Sequence, residues 1–269
     1  MPQSVTDQTL QSLADWWRAM GVDVTLPAAG PAATDGPPGL PAAPAEGPGP
    51  LKPRRSARAA ISPEAHIETA RQLSTSAADM MALKAAIEGF DGCPLKELCD
   101  RTVVFDGVIG APVMVIGEGP GEQEDMTGRP FVGKAGQLLD KMLSAIGLDR
   151  KTNAFITNVN YWRPPDNRNP EPEELAVCRP FVERMVDLNQ PKLILAMGGV
   201  AAKSLLETRT GIMRLRGHEA VFTTPAGTSV PLIPMFHPAY LLRRPQDKSR
   251  SWRDLLLAKA RLEALGVIL

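Results

Sequence analysis

Cysteine is scarce in this chain. Its 269 residues hold three, Cys93, Cys99 and Cys178, too few and too scattered for a disulfide framework. Excess charge is absent: 30 Lys and Arg balance 30 Asp and Glu. That excludes a generally basic nucleic-acid coat protein but leaves room for a local basic patch. Long apolar runs are missing too. The stretch LILAMGGVAA falls short of the roughly 18 residues that a membrane span needs. The N-terminus, MPQSVTDQTLQSLADWW, lacks the basic stretch and apolar core of a secretory signal. The expectation is a cytoplasmic protein, nucleoid-associated if bacterial, monomeric, with no membrane contact.

Composition changes sharply along the chain. Residues 1–26 place Val5, Leu10, Leu13, Trp16, Trp17 and Met20 at roughly helical spacing, which predicts a short amphipathic helix. Residues 27–61 read as a linker, since twenty of the twenty-four residues at 27–50 are Pro, Gly or Ala and a basic LKPRRSAR run follows. Such a segment cannot bury enough apolar surface to offset its ordering entropy. The tethered helix either packs back on the body or docks a protein partner; both readings stand open.

A folded body is expected over 62–269, opening with an Ala-rich helical pattern from Pro63 to about Glu88. Four continuous apolar segments follow: VMVIG (113–117), AFITNV (154–159), LILAMG (193–198) and LIPMF (232–236). Unbroken apolar runs suit strands buried on both faces of a parallel sheet. Helical patterns lie between them, at Gly133–Ile146, Pro172–Leu188 and Val200–Leu206, and Trp252–Leu265 closes the chain. A hairpin is expected at 221–230. The alternation predicts a three-layer α/β/α fold around a central four-stranded parallel sheet.

Ligands of such sheets bind beyond the carboxyl ends of the strands. The loop after the first strand, GEGPGEQED, has the glycines of a phosphate cradle but no lysine, and carries Glu118, Glu122, Glu124 and Asp125. The second loop offers Asn158, then Asn160, Tyr161, Trp162, Arg163, Asn167 and Arg168. The fourth is HPAYLLRRPQDKSR, where His237 precedes Tyr240, Leu241, Leu242, Arg243 and Arg244. An asparagine amide suits the edge of a nucleobase, and Phe131 could supply a stacking surface. Apolar tips among cations suit a wedge into a base stack beside phosphates. Plainer readings exist for each: turn asparagines, a core Phe, a structural His, an ordinary amphipathic last helix. Together the parts fit a flipped-out nucleotide held in a pocket. Acids beside a bare backbone can then stabilise a cationic sugar and position water, while histidine and backbone donors stabilise the departing base.

Four motifs, GEGPGEQED, GRPFVGKAGQLL, TNV…RPPDNRNPEPEE and HPAYLLR, run in order through residues 90–265 or so. In them the chain resembles the family 4 uracil-DNA glycosylases. The resemblance implies a uracil-DNA glycosylase acting on uracil-containing DNA in base excision repair. It aligns Glu118 and Glu124 with acidic active-site positions, Phe131 with the stacking residue and Asn158 with the uracil-reading asparagine. Gly119 joins the uracil-binding set, and His237 matches the last-loop histidine. Asn167, Arg168, Leu241, Arg243 and Arg244 are expected on DNA, Leu241 as the wedge.

Two departures qualify the resemblance. Family members resemble one another in an iron–sulfur cluster on four cysteines. Here Phe90 and Trp162 stand at two of those positions, leaving Cys93 and Cys178, while Cys99 has the wrong spacing. Two thiolates do not make the usual set of four, so no cofactor is expected, and the two aromatic rings are expected to fill the volume. A related branch is trapped covalently through a histidine in the second loop. RPPDNRNPEPEE has none, so no trapping is expected. The remaining alternatives are a glycosylase for another deaminated base, a catalytically inactive DNA-binding scaffold, and a nucleotide-phosphate hydrolase, which lacks its phosphate-loop lysine.

Overall fold

A computed structural model describes residues 62–269; the segments 1–26 and 27–61 lie outside the described residues. Six strands form one sheet: β1 (Phe105–Gly107), β2 (Val113–Gly117), β3 (Ala154–Asn158), β4 (Leu193–Met197), β5 (Ala220–Thr223) and β6 (Ser229–Met235), in the order β1-β3-β2-β4-β6-β5. The inner four are parallel and coincide with the four apolar runs. Two antiparallel edge strands extend them. β5 makes the expected hairpin with β6. β1, only three residues of intermediate burial, pairs with β3.

Successive strand residues face opposite layers, and both layers are apolar. Met114, Ile116, Phe155, Ile194, Ala196 and Leu232 share one core with α1 (Pro63–Ser76), α2 (Met80–Gly89), α5 (Pro172–Asn189) and α6 (Gly199–Leu206). Val113, Val115, Ile156, Leu193, Leu195 and Ile233 share the other with α4 (Lys134–Ser144), α8 (Pro238–Arg243) and α9 (Lys248–Ala264). Two short helices, α3 (Glu122–Thr127) and α7 (Ile212–Leu215), complete the described body. This is the expected three-layer arrangement. The single helical pattern read at 63–88 is two helices. Asp79 breaks it by capping α2, its Oδ1 accepting from the Ala82 amide at 2.8 Å, a bond that favours a new helix start. No helix among the described residues is long and apolar enough to cross a membrane.

From β2 the chain passes to β3 on one side and later to β4 on the other. The loops after the parallel strands therefore part at their carboxyl ends and leave a crevice there.

Candidate active site

That crevice is a cavity of about 310 Å³, lined from three loops by residues that include Glu118, Gly119, Glu124, Phe131, Asn167, Arg168, His237 and Arg243. Its size falls at the lower end of small-ligand sites, roughly 300–1,000 Å³.

The two acids differ in what holds them. Glu124 is fully engaged: Oε1 accepts from the amides of Val132 and Gly133, both at 2.9 Å, and Oε2 accepts from Gly121 at 3.2 Å. It ties the start of α3 to the Phe131 loop. The Glu118 carboxylate has no hydrogen bond among the described residues. Burial raises its pKa, and Arg243 partly opposes the rise. Of the two, Glu118 is the acid whose oxygens remain available to the cavity.

Phe131 adopts a left-handed φ of 54°, uncommon for a bulky residue and a strained conformation. Arg150 donates to the carbonyl of Phe131 at 2.8 Å, and Gly136 of α4 comes so close that a Cβ there would lie 1.9 Å from that oxygen. The ring is thereby pressed toward β2. A Cβ on Gly117 would lie 2.4 Å from both Phe131 Cζ and Asn158 Oδ1. Gly117 thus keeps a bare wall where ring and amide meet, a role that the glycine pattern alone did not disclose. Asn158 pairs with Gly117 in the β2–β3 register, is 1% exposed, and its Oδ1 has no hydrogen-bond partner. An unsatisfied buried acceptor costs about 1–3 kcal/mol.

His237 caps α8, its Nδ1 accepting from the Ala239 amide at 3.2 Å. In the neutral ring this places the proton on Nε2. Burial, with Arg243 nearby, lowers the pKa from 6.5 to about 4, so the ring is a neutral donor. It stacks on Phe131 with centroids 5.6 Å apart. Stability follows from the sign of this shift. The folded value lies below the unfolded one, so the contribution is full above pH 6.5 and is lost as pH falls toward 4. Between pH 7 and pH 5, His237→Gln should lose about 1–2 kcal/mol less stability than the parent, after allowance for the part-exposed ring. Denaturant titrations at the two pH values check this; parallel losses would show that the His237 pKa is not depressed.

The expected DNA-facing set separates. Arg243 is exposed at the cavity rim. Arg244 is exposed beside Asp247, 3.6 Å away. Asp247, 6% exposed, also accepts from the Tyr240 hydroxyl at 2.7 Å and pairs with Arg250 at 3.2 Å; no pattern in the sequence marks it as this organising centre. Asn167 lines the cavity and accepts from Arg163 at 2.9 Å. Arg168 is engaged internally, its guanidinium spanning both oxygens of Glu174 at 2.8 and 2.6 Å. Leu241 is not the exposed tip. It is 0% exposed in the core beneath α8, and Leu242 is the outward residue at 45%. A helix beginning at Pro238 turns 241 inward and 242 outward, so the burial of Leu241 does not suit the wedge expected of it.

The residues that the resemblance relates to an iron–sulfur cluster are Phe90, Cys93, Trp162 and Cys178. Trp162 is 0% exposed and Phe90 2%. Their centroids are 6.2 Å apart, and Phe90 meets Phe181 edge-on at 5.3 Å. The indole donates to Thr102 Oγ1 at 3.0 Å. The Cys93 and Cys178 thiols are hydrogen-bonded to each other, with Cys178 kept protonated by burial. Cys99 donates to the Lys96 carbonyl at 3.5 Å, and burial pushes its thiol up to about 11. Among the described residues no group of three or more His, Cys, Asp or Glu could hold a metal ion. Two neighbouring thiols are present here, short of the usual set of four cysteine ligands, beside the packed rings of Phe90 and Trp162. Trp162→Ala should therefore cost about 3–5 kcal/mol, read by thermal or denaturant unfolding; unchanged stability would remove Trp162 from the packing of the fold.

Comparisons with known proteins give the family. Residues 105–261 match the model of the "Uracil DNA glycosylase superfamily". A Type-4 uracil-DNA glycosylase of Pyrobaculum aerophilum is 37% identical over 185 residues, covering 66% of this chain and 92% of that protein. One from Thermotoga maritima is 40% identical over 159 residues, 59% and 80% of the two chains. One from Archaeoglobus fulgidus is 40% identical over 158 residues, 57% and 78%. With more than half of its length matched by that model, and the cavity formed by the matched loops, the chain belongs to the uracil DNA glycosylase superfamily.

Proposed function

We propose that this chain is a monofunctional uracil-DNA glycosylase that takes uracil out of the DNA stack and hydrolyses its N-glycosidic bond, leaving an abasic site. The observation that carries the reading is the buried, unpartnered Oδ1 of Asn158 beside Phe131 and the bare wall of Gly117. Uracil supplies the missing donor at N3–H and a flat face for the ring.

The chemistry follows from the groups around the cavity. As the bond from C1′ to N1 breaks, its electron pair leaves with the base and negative charge gathers on O2. The neutral Nε2–H of His237 is a donor for that charge, and fixed donors aimed at developing charge are effective in a water-poor site. The sugar becomes oxocarbenium-like, and water adds to C1′ while losing a proton. Glu118, free of other hydrogen bonds among the described residues, orients that water; Glu124 is committed to holding the Phe131 loop. Arg243 and Arg244 meet phosphates at the rim, and Leu242 is the tip that enters the vacated stack. The aromatic corner is read as a replacement for the family's cluster, so no step passes through iron.

Single-stranded and duplex oligonucleotides with one uracil test the reading. The expected result is alkali-labile cleavage at uracil, none at thymine, and no protein–DNA adduct that survives denaturation. Iron analysis of the same preparation should find less than stoichiometric metal. Intact uracil strands after prolonged incubation would overturn the enzymatic reading, and stoichiometric iron would overturn the aromatic replacement alone.

A further inference from the structure

Asn160 serves neither the base pocket nor the DNA rim, yet it is 0% exposed and every contact it makes is internal. Its Nδ2 donates to the Trp162 carbonyl at 2.6 Å, and its Oδ1 accepts from the Trp162 amide at 3.3 Å and the Cys178 thiol at 3.8 Å. One side chain thus clasps both main-chain groups of the residue that anchors the aromatic corner. Its other side meets the acid loop. The Asn160 amide donates to the Glu118 carbonyl at 3.2 Å, next to the bond from the Val159 amide to the Gly117 carbonyl at 2.9 Å. A Cβ on Gly119 would sit 3.3 Å from Asn160 Nδ2, so the loop lies directly against the amide.

Glu118 has no side-chain hydrogen bond of its own among the described residues. Where its carboxylate stands is therefore decided by the main chain at 117–119, and that main chain rests on residues 159 and 160. We propose that Asn160 is a positioning residue for Glu118, coupling the clasped main chain of Trp162 to the acid that orients water. The proposal rests on the reading of Glu118 given above. Without the amide, the buried N–H and C=O of Trp162 lose their partners, segment 159–162 shifts to satisfy them, and the acid loop moves with it. Displacement of a reacting group by an ångström can cost about 10²-fold.

Asn160→Ala should lower the single-turnover rate on uracil DNA by about 10- to 100-fold and leave DNA affinity within a few-fold. Loosening also admits water to Glu118. Because burial raises the pKa of that carboxyl, the acid limb of the rate profile should move to lower pH. Trp162→Phe keeps both main-chain groups that Asn160 clasps, so it should lower the melting temperature while preserving the rate and profile. Asn160→Asp guards against a failure to fold. Its protonated form can donate to the Trp162 carbonyl and accept from the amide; its ionised form cannot donate. Its rate should be near that of the parent at low pH and fall as pH rises, opposite in sign to the dependence on Glu118. A parental rate and pH profile in Asn160→Ala, or a parental profile in Asn160→Asp, would overturn the proposal. Glu118→Gln, assayed alongside, separates the two failures. A parental rate there removes Glu118 from the mechanism and the proposal with it. A defect there beside parental kinetics at 160 overturns the role of Asn160 alone.

Discussion

Asn158→Asp should lose uracil excision by roughly 10²–10⁴-fold. The amide presents one acceptor and one donor edge; in the proposed pose the acceptor, buried and unpaired, meets N3–H, and the donor nitrogen meets O4. A carboxylate keeps the first contact and turns the second into two oxygens facing each other. Leaving buried polar groups mispaired costs about 1–3 kcal/mol each, and each 1.36 kcal/mol is tenfold in rate. Cytosine carries an acceptor at N3 and an amino group at C4, the reverse of uracil, so the variant should gain weak action on cytosine when its carboxyl is protonated. Single-turnover assays on uracil and cytosine strands decide this. Uracil excision within tenfold of the parent would mean that Asn158 is a structural residue at the end of β3.

His237→Ala should reduce the single-turnover rate by about 10²–10³-fold, corresponding to roughly 3–4 kcal/mol for a donor aimed at developing charge, with DNA affinity within a few-fold. The parent's rate should show no inflection near pH 6.5, since the ring titrates at about 4 in the fold and is neutral across the working range. Imidazolium is excluded by the same burial that makes the neutral donor effective. A variant with near-parental chemistry, or one whose defect lies wholly in affinity, would place His237 among the structural caps, where its bond to Ala239 already puts it in part.

The sheet was legible because its inner strands are buried on both faces, and a continuous apolar run leaves little else to be. β1 was not: Phe-Asp-Gly of intermediate burial carries no period and reads as a turn. The break between α1 and α2 was present as Asp79, a capping residue inside an otherwise unbroken helical pattern. The pocket residues were legible as types at strand ends, but their division of labour was not. Glu118 and Glu124 look alike in sequence, and only the three amides around Glu124 distinguish them. Leu241 and Leu242 show the same limit. In a six-residue helix no period can be read, and which leucine turns inward depends on where the helix packs.

The corner closed by Phe90, Trp162 and Phe181 is held by contacts between rings. Packing between rings is set by the polypeptide alone and is complete when the chain leaves the ribosome and collapses. As the proposed replacement for a cluster, it calls for no scaffold protein to deliver a prosthetic group, and leaves a chelator or a burst of peroxide nothing there to strip. On that proposal, uracil repair by this chain should hold steady through iron starvation, when proteins stapled by a metal centre wait for their supply.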